Sequence, residues 1–215
     1  MINLEKRKLL LSAASAFAGV ALVSTGVKAV TRPSPSPILT QDPREIRRLK
    51  HLPNVPLITH AGAEVQFYED LIKDKKVVVN FMYTVCTKVC QPSTRNILEA
   101  RRLLGDAAKD IHFYSISLTP QHDDPAVLRA YMKANEIDGG WTYLTGTQKN
   151  IDTLRRSLGF SSGDPVEDAD VSRHAGMLRI IDEPMAAWGH ASTLTSGKTI
   201  ARMIRYELNS QPQLS

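Results

Sequence analysis

A chain of 215 residues with 42% hydrophobic content has enough apolar material for one sizeable core and needs no disulfide to build it. Its formal net charge of +5 is largely terminal, because residues 1–29 take four of the 27 basic and one of the 22 acidic residues, leaving 23 against 21. No basic block interleaved with aromatic side chains occurs, so nothing points to a nucleic-acid partner.

Met1 to Ala29 reads as an export segment. Lys6-Arg7-Lys8 forms a positive start, Leu9 to Val27 an apolar run, and Val27-Lys28-Ala29 supplies small residues for cleavage. Two readings stand: a signal peptide cleaved after Ala29, or an uncleaved anchor, since the run approaches the roughly 20 residues that span a bilayer. Both place the remainder in the periplasm or another extracytoplasmic space. No cysteine lies near residue 29, which excludes a lipoprotein, and Lys6-Arg7 is at most a degenerate twin-arginine pair. Residues 30–50 form a linker: Thr31 to Pro37 is an extended Pro/Ser spacer, and Arg44 to His51 reads as a short charged helix.

Residues 51–210 then read as one domain. Val55 to His60 and Val65 to Tyr68 flank Ala61-Gly62 as a hairpin. Val77 to Tyr83 is a β-branched and aromatic run of the kind buried on both faces of a sheet. A helix follows with Pro92 near its start and Ile97, Leu98, Arg101, Leu103 and Leu104 putting apolar side chains on one face. Ile111 to Leu118 is a second strand, and Asp124 caps a helix running through about Ala134. Trp141 to Thr145 is a strand, Lys149 to Leu158 an amphipathic helix, and Ser161 to Asp170 an acidic loop. Met177 to Asp182 is the last strand, and Thr199 to Leu208 closes the domain as a helix. The alternation predicts an α/β fold with a central mixed sheet flanked by helices and the hairpin as an N-terminal extension.

Cys86 and Cys90, the only cysteines, sit where the strand of residues 77–83 hands over to its helix. The free N–H groups and positive dipole end of a helix start favour thiolate over thiol, and Lys88 between the two adds to this. Four residues apart, the sulfurs suit either a disulfide or a shared soft metal ion. A purely structural disulfide is the alternative, but so short a loop gains little from cross-linking. A strand, a cysteine pair at a helix start and alternating elements fit the thioredoxin-like plan. Where that plan places a proline before its late strand, this chain has His174. Two thiolates and an imidazole are a donor set that copper accepts; zinc could use them with an added water.

The chain resembles the Sco/SenC family of exported, usually membrane-tethered copper proteins across roughly residues 52 to 208. NFMYTVCTKVC at 80–90, SISLTPQHDDP at 115–125, WTYLTG at 141–146 and HAGMLRIID at 174–182 carry the likeness. The resemblance implies a thioredoxin-like fold, copper held by Cys86, Cys90 and His174, and assembly of the copper centre of cytochrome c oxidase. It also implies partners: that oxidase's copper subunit or another copper-receiving apoprotein, a copper-donor chaperone, and the membrane through an uncleaved anchor. Departures are Thr87 and Gln91 where the family commonly has proline, and Thr119 where it usually has aspartate, with Asp123 matching the second acidic position.

Transfer of copper to an apoprotein calls for an exposed site, with the three ligands on loops at a sheet edge. The rival function is a thiol–disulfide oxidoreductase, with Cys86 as the more exposed, attacking thiol and Cys90 resolving. A related peroxidase would need a Thr-x-x-Cys pattern and supporting arginine, which are not evident around Cys86. His122 reads as a solvated loop histidine, His190 with Met185 as a weak copper pair in a surface loop, and His51, His60 and His112 as partnerless. Met82 and Trp141 read as core.

Overall fold

The computed structural model describes residues 42–86, 89–137, 139–170 and 176–209. Helix α1 (Pro43–His51) leads into strands β1 (Pro56–Thr59) and β2 (Glu64–Gln66), a wide helical turn (Phe67–Ile72), β3 (Lys76–Met82) and α2 (Cys90–Leu104). Next come β4 (Ile111–Ser117), α3 (Pro125–Ala134), β5 (Trp141–Thr145), α4 (Gln148–Ser157), α5 (Pro165–Ala169), β6 (Met177–Asp182), β7 (Ala187–Ser192) and α6 (Gly197–Asn209).

The strands form one sheet in the order β2-β1-β5-β4-β3-β6-β7. β3, β4 and β5 run parallel, while β6 joins β3 and β1 joins β5 antiparallel, so the sheet is mixed as predicted. β3 lies inside it with both faces covered. Val78 and Met82 point to a core shared with Ile97 and Leu104 of α2, Leu128 of α3 and Ile200 and Ile204 of α6. Val77, Val79 and Phe81 point to the opposite core, with Phe67, Leu71 and Ile72 of the wide turn and Ile151 and Leu154 of α4. Each such fully buried side chain contributes about 1.5–3 kcal/mol, which makes β3 a firmly held platform for the turn beyond Met82. A polar thread crosses the first core: Ser115 Oγ donates to Asn80 Oδ1 at 2.6 Å, and Trp141 Nε1 donates to Ser115 Oγ at 2.9 Å.

Three expectations change. Phe67 and Tyr68 leave the hairpin strand and open the wide turn, because turning buries both rings. The acidic loop contains α5, whose N-terminus Asp164 caps by accepting from the Val166 and Glu167 N–H groups. Residues 187–192 form an edge strand that composition hides, since AWGHAS is short of β-branched residues; pairing with β6 supplies what local propensity lacks.

α1 is fastened at the end of β3 away from the cysteines. Glu183, 3% exposed, accepts from Arg44 Nε at 2.7 Å and Nη2 at 2.6 Å, from the Asp74 N–H at 2.8 Å and from the Tyr68 hydroxyl at 3.0 Å. Arg44 also pairs with Asp74. Burial pushes the Glu183 carboxyl up, but these donors outweigh it and hold it below its ordinary value. Removing Arg44 leaves a buried carboxylate short of donors, so Arg44→Ala is expected to lose about 1.5–3 kcal/mol in urea unfolding. Because the folded carboxyl titrates lower than the unfolded one, its stabilisation is complete above the ordinary 4.5 and disappears as pH falls through the lower folded value. Melting temperatures of wild type and Glu183→Gln should therefore converge on acidification; a constant gap would contradict the clamp.

Candidate metal centre

Beyond Met82 the chain leaves the sheet in a turn in which the Cys86 N–H donates to the Tyr83 carbonyl at 3.2 Å. Cys90 is the first residue of α2, and the residue before it, Val89, offers no capping side chain. The missing acceptor is a sulfur: the Cys90 N–H donates to Cys86 Sγ at 3.3 Å. Both thiols are free. The helix is held by Ser93 Oγ and Thr193 Oγ1 in a hydrogen bond of 2.6 Å, by Asn96 Nδ2 donating to the Thr193 carbonyl at 2.8 Å, and by Thr94 and Tyr131 hydroxyls 2.9 Å apart.

The two thiols differ in acidity. Burial pushes Cys86 up, but hydrogen bonds from the Tyr83 hydroxyl, the Cys90 thiol and the Val89 and Cys90 backbone outweigh it and bring it down to about 7. Cys90 is pushed up to about 12, chiefly by burial and then by the neighbouring Cys86, against a hydrogen bond from the Tyr83 backbone. The reactive placement expected of both cysteines therefore holds for one. Cys86 lies in front of the helix and collects its free N–H groups; Cys90 lies inside it and faces the core.

The expected exposure is corrected. Cys86 is 3% and Cys90 1% exposed, and both join the apolar cluster of Val78, Met82, Ile97 and Leu178. Cys90 is helical, and the cysteines come after an interior strand, so the pair sits at the end of the central strands and not on loops along a sheet edge. Val85, next to Cys86, is the exposed member of the turn, at 68%. Lys88 and His174 lie outside the described residues. Among the described residues no three His, Cys, Asp or Glu side chains gather as a metal site.

The remaining histidines find plain roles. His122 is exposed in the turn after β4. His190 belongs to β7, paired with Arg179, and not to a loop with Met185. The histidines expected to be partnerless have partners: His51 Nδ1 bonds the Ser157 carbonyl at 3.2 Å and its ring meets Trp188, His60 Nδ1 accepts the Tyr143 N–H at 3.2 Å, and His112 stacks on Tyr114. Met82 and Trp141 are core, as expected. Spacing alone missed Thr84 and the full use of Asp123, whose carboxylate accepts from Thr84 at the cysteine turn and from Ser117 and Thr119 at the end of β4.

In the reduced, metal-free protein, thiolate absorbance should rise with one midpoint near 7 that Cys86→Ser abolishes, and the second thiol should stay protonated far into alkali. Tyr83→Phe should move the first midpoint upward. Two equal midpoints would contradict this asymmetry.

No helix among the described residues is long and apolar enough to cross a membrane. No curated protein matches the chain. Solved structures do. A SCO1/SenC family lipoprotein from Bacillus anthracis is 23% identical, over 73% of this chain and 94% of that one, at a TM-score of 0.60. ScoI of Bradyrhizobium japonicum, solved with copper bound, is 22% identical over 71% and 96% at 0.55. BsSco, a member of the Sco family of cytochrome c oxidase assembly proteins described with a disulfide switch, is 17% identical over 75% and 95% at 0.60. These likenesses establish the thioredoxin-like fold. The family model for SCO1/SenC matches residues 50–209, from the end of α1 to the end of α6, and so the chain belongs to the SCO1/SenC family.

Proposed function

We propose that this protein is an extracytoplasmic copper metallochaperone that holds one copper ion through Cys86, Cys90 and His174 and delivers it to the copper centre of cytochrome c oxidase. The observation that carries this reading is the pair of free cysteines at the start of α2, with the Cys90 backbone N–H donating to the Cys86 sulfur and the Cys86 thiol drawn down to about 7. Two adjacent soft sulfurs fit copper's preference, and a low-lying thiol is half prepared for it. The Bradyrhizobium relative holds copper, and BsSco belongs to a family of oxidase assembly proteins.

On this reading Cys86, already part thiolate near neutral pH, loses less of a proton than Cys90, which must release its own when the metal arrives. Copper affinity therefore increases with pH. An incoming sulfur of the recipient would displace the ligands one at a time. Because the pair is buried, the recipient must engage the turn carrying Val85 before it reaches the metal.

A competitive Cu(I) titration of the reduced full-length chain tests the assignment. Wild type should bind one equivalent, and His174→Ala should weaken binding beyond the roughly 10–100-fold cost of losing an outer-shell partner. Unchanged affinity in that variant would sink the three-ligand site.

The acidity difference favours a second reading, thiol–disulfide exchange, in which Cys86 attacks a substrate disulfide and Cys90 resolves the mixed disulfide. Exchange should survive His174→Ala, which separates the two. The export segment predicts a mature N-terminus at Val30 if it is a cleaved signal; sequencing that finds Met1 retained would make it an anchor.

A further inference from the structure

Asp123 is a carboxylate with 0% exposure, and the four hydrogen bonds it accepts from Thr84, Ser117 and Thr119 all come from neutral donors. Thr84 supplies two of them, the backbone N–H at 3.2 Å and the hydroxyl at 2.5 Å; Ser117 Oγ donates at 2.6 Å and Thr119 Oγ1 at 3.2 Å. Burying a carboxylate is costly unless its oxygens are well supplied with donors, so this group has a reason to be where it is.

The carboxylate stands on a stiff frame. The Thr119 carbonyl accepts from the N–H groups of both His122 and Asp123, at 2.8 and 3.0 Å, and the Leu118 N–H donates to the Met82 carbonyl at 2.8 Å, extending the β3–β4 ladder past its last pair. The next residue, Asp124, caps α3 through the Ala126 and Val127 N–H groups at 2.7 and 2.8 Å. From this frame two bonds reach across to Thr84, two residues before Cys86. They pin the turn on its outgoing side, while α2 is pinned separately through Thr193 and Tyr131. Cys86 and Cys90 lie between these two attachments.

We propose that Asp123 is a positioning residue for the cysteine pair, its carboxylate holding the Thr84 turn so that the Cys86 sulfur stays against the start of α2. This rests on Cys86 and Cys90 working as a pair, as in the proposed function, and is independent of the metal and of His174. Thr84 is the matching half of the device: its hydroxyl and N–H read both oxygens of one carboxylate.

The test is the exchange equilibrium of the full chain with glutathione, in which oxidised glutathione accepts two electrons from the two thiols, leaving one Cys86–Cys90 disulfide and two reduced glutathiones. Thr84→Val and Asp123→Asn should lower the equilibrium constant about tenfold by reducing the effective concentration of one thiol at the other. Thr84→Ser, which keeps the hydroxyl, should restore it to within about twofold. Arg44→Ala, which loosens the fold at the far end of β3, should lower the melting temperature without moving the constant. The proposal is overturned if Thr84→Val leaves the constant unchanged, if Arg44→Ala shifts it as much, or if wild type forms no disulfide. No copper enters the assay, so a failed copper titration beside a shifted Thr84→Val equilibrium would remove the metallochaperone reading and leave this one standing.

Discussion

The domain described from residue 42 to 209 is organised around β3, which is buried on both faces. Its alternate side chains enter two separate cores, one under α2, α3 and α6 and one under α4 and the wide turn. A strand committed to both cores cannot slip by one residue without sending Val77, Val79 and Phe81 into the space shaped for Val78 and Met82. The point at which it ends is therefore fixed, and the cysteine turn inherits that fixity. The thread from Asn80 through Ser115 to Trp141 adds a polar requirement to the same register, since a shifted strand would leave buried donors without acceptors.

The site adds a second principle, that two chemically identical groups four residues apart can be made different by their place in a helix. Cys86, outside the first turn, serves as the acceptor that Val89 does not provide; Cys90, inside it, can only face the apolar side of α2. The groups that do most to draw Cys86 down are the Tyr83 hydroxyl, the Cys90 thiol and two backbone N–H groups, none of them a cation. Donors gathered on Cys86 and burial of Cys90 together separate the two sulfurs.

Much of this was legible in the sequence. The run at 77–83, the Asp124 cap and the late strand at 177–182 all emerge where periodicity and capping residues place them, because in each local preference and tertiary burial agree. β7 was not legible, since Gly189 and His190 carry no strand signal and the partner β6 decides the matter. The hairpin was recognisable from its turn, yet Phe67 and Tyr68 depart from it because burial outweighs their β preference. At the site, the cysteine pair and its helix start could be read from spacing; the burial of both thiols could not, because it depends on α6 and β6, more than 80 residues downstream. The histidines show the same limit: a ring's partner, such as Ser157 for His51, is a fact of topology and has no trace in its neighbours along the chain.

The clamp on Glu183 has a mechanical consequence. A load applied at the N-terminal end of α1 first meets the bonds of Arg44 with Glu183 and Asp74. Glu183 is itself anchored at the base of β3, its N–H donating to the Lys75 carbonyl at 3.1 Å. The seven residues of β3 then separate that anchorage from the cysteine turn by about 20 Å. The clamp and the sulfur pair therefore stand at opposite ends of the same buried strand.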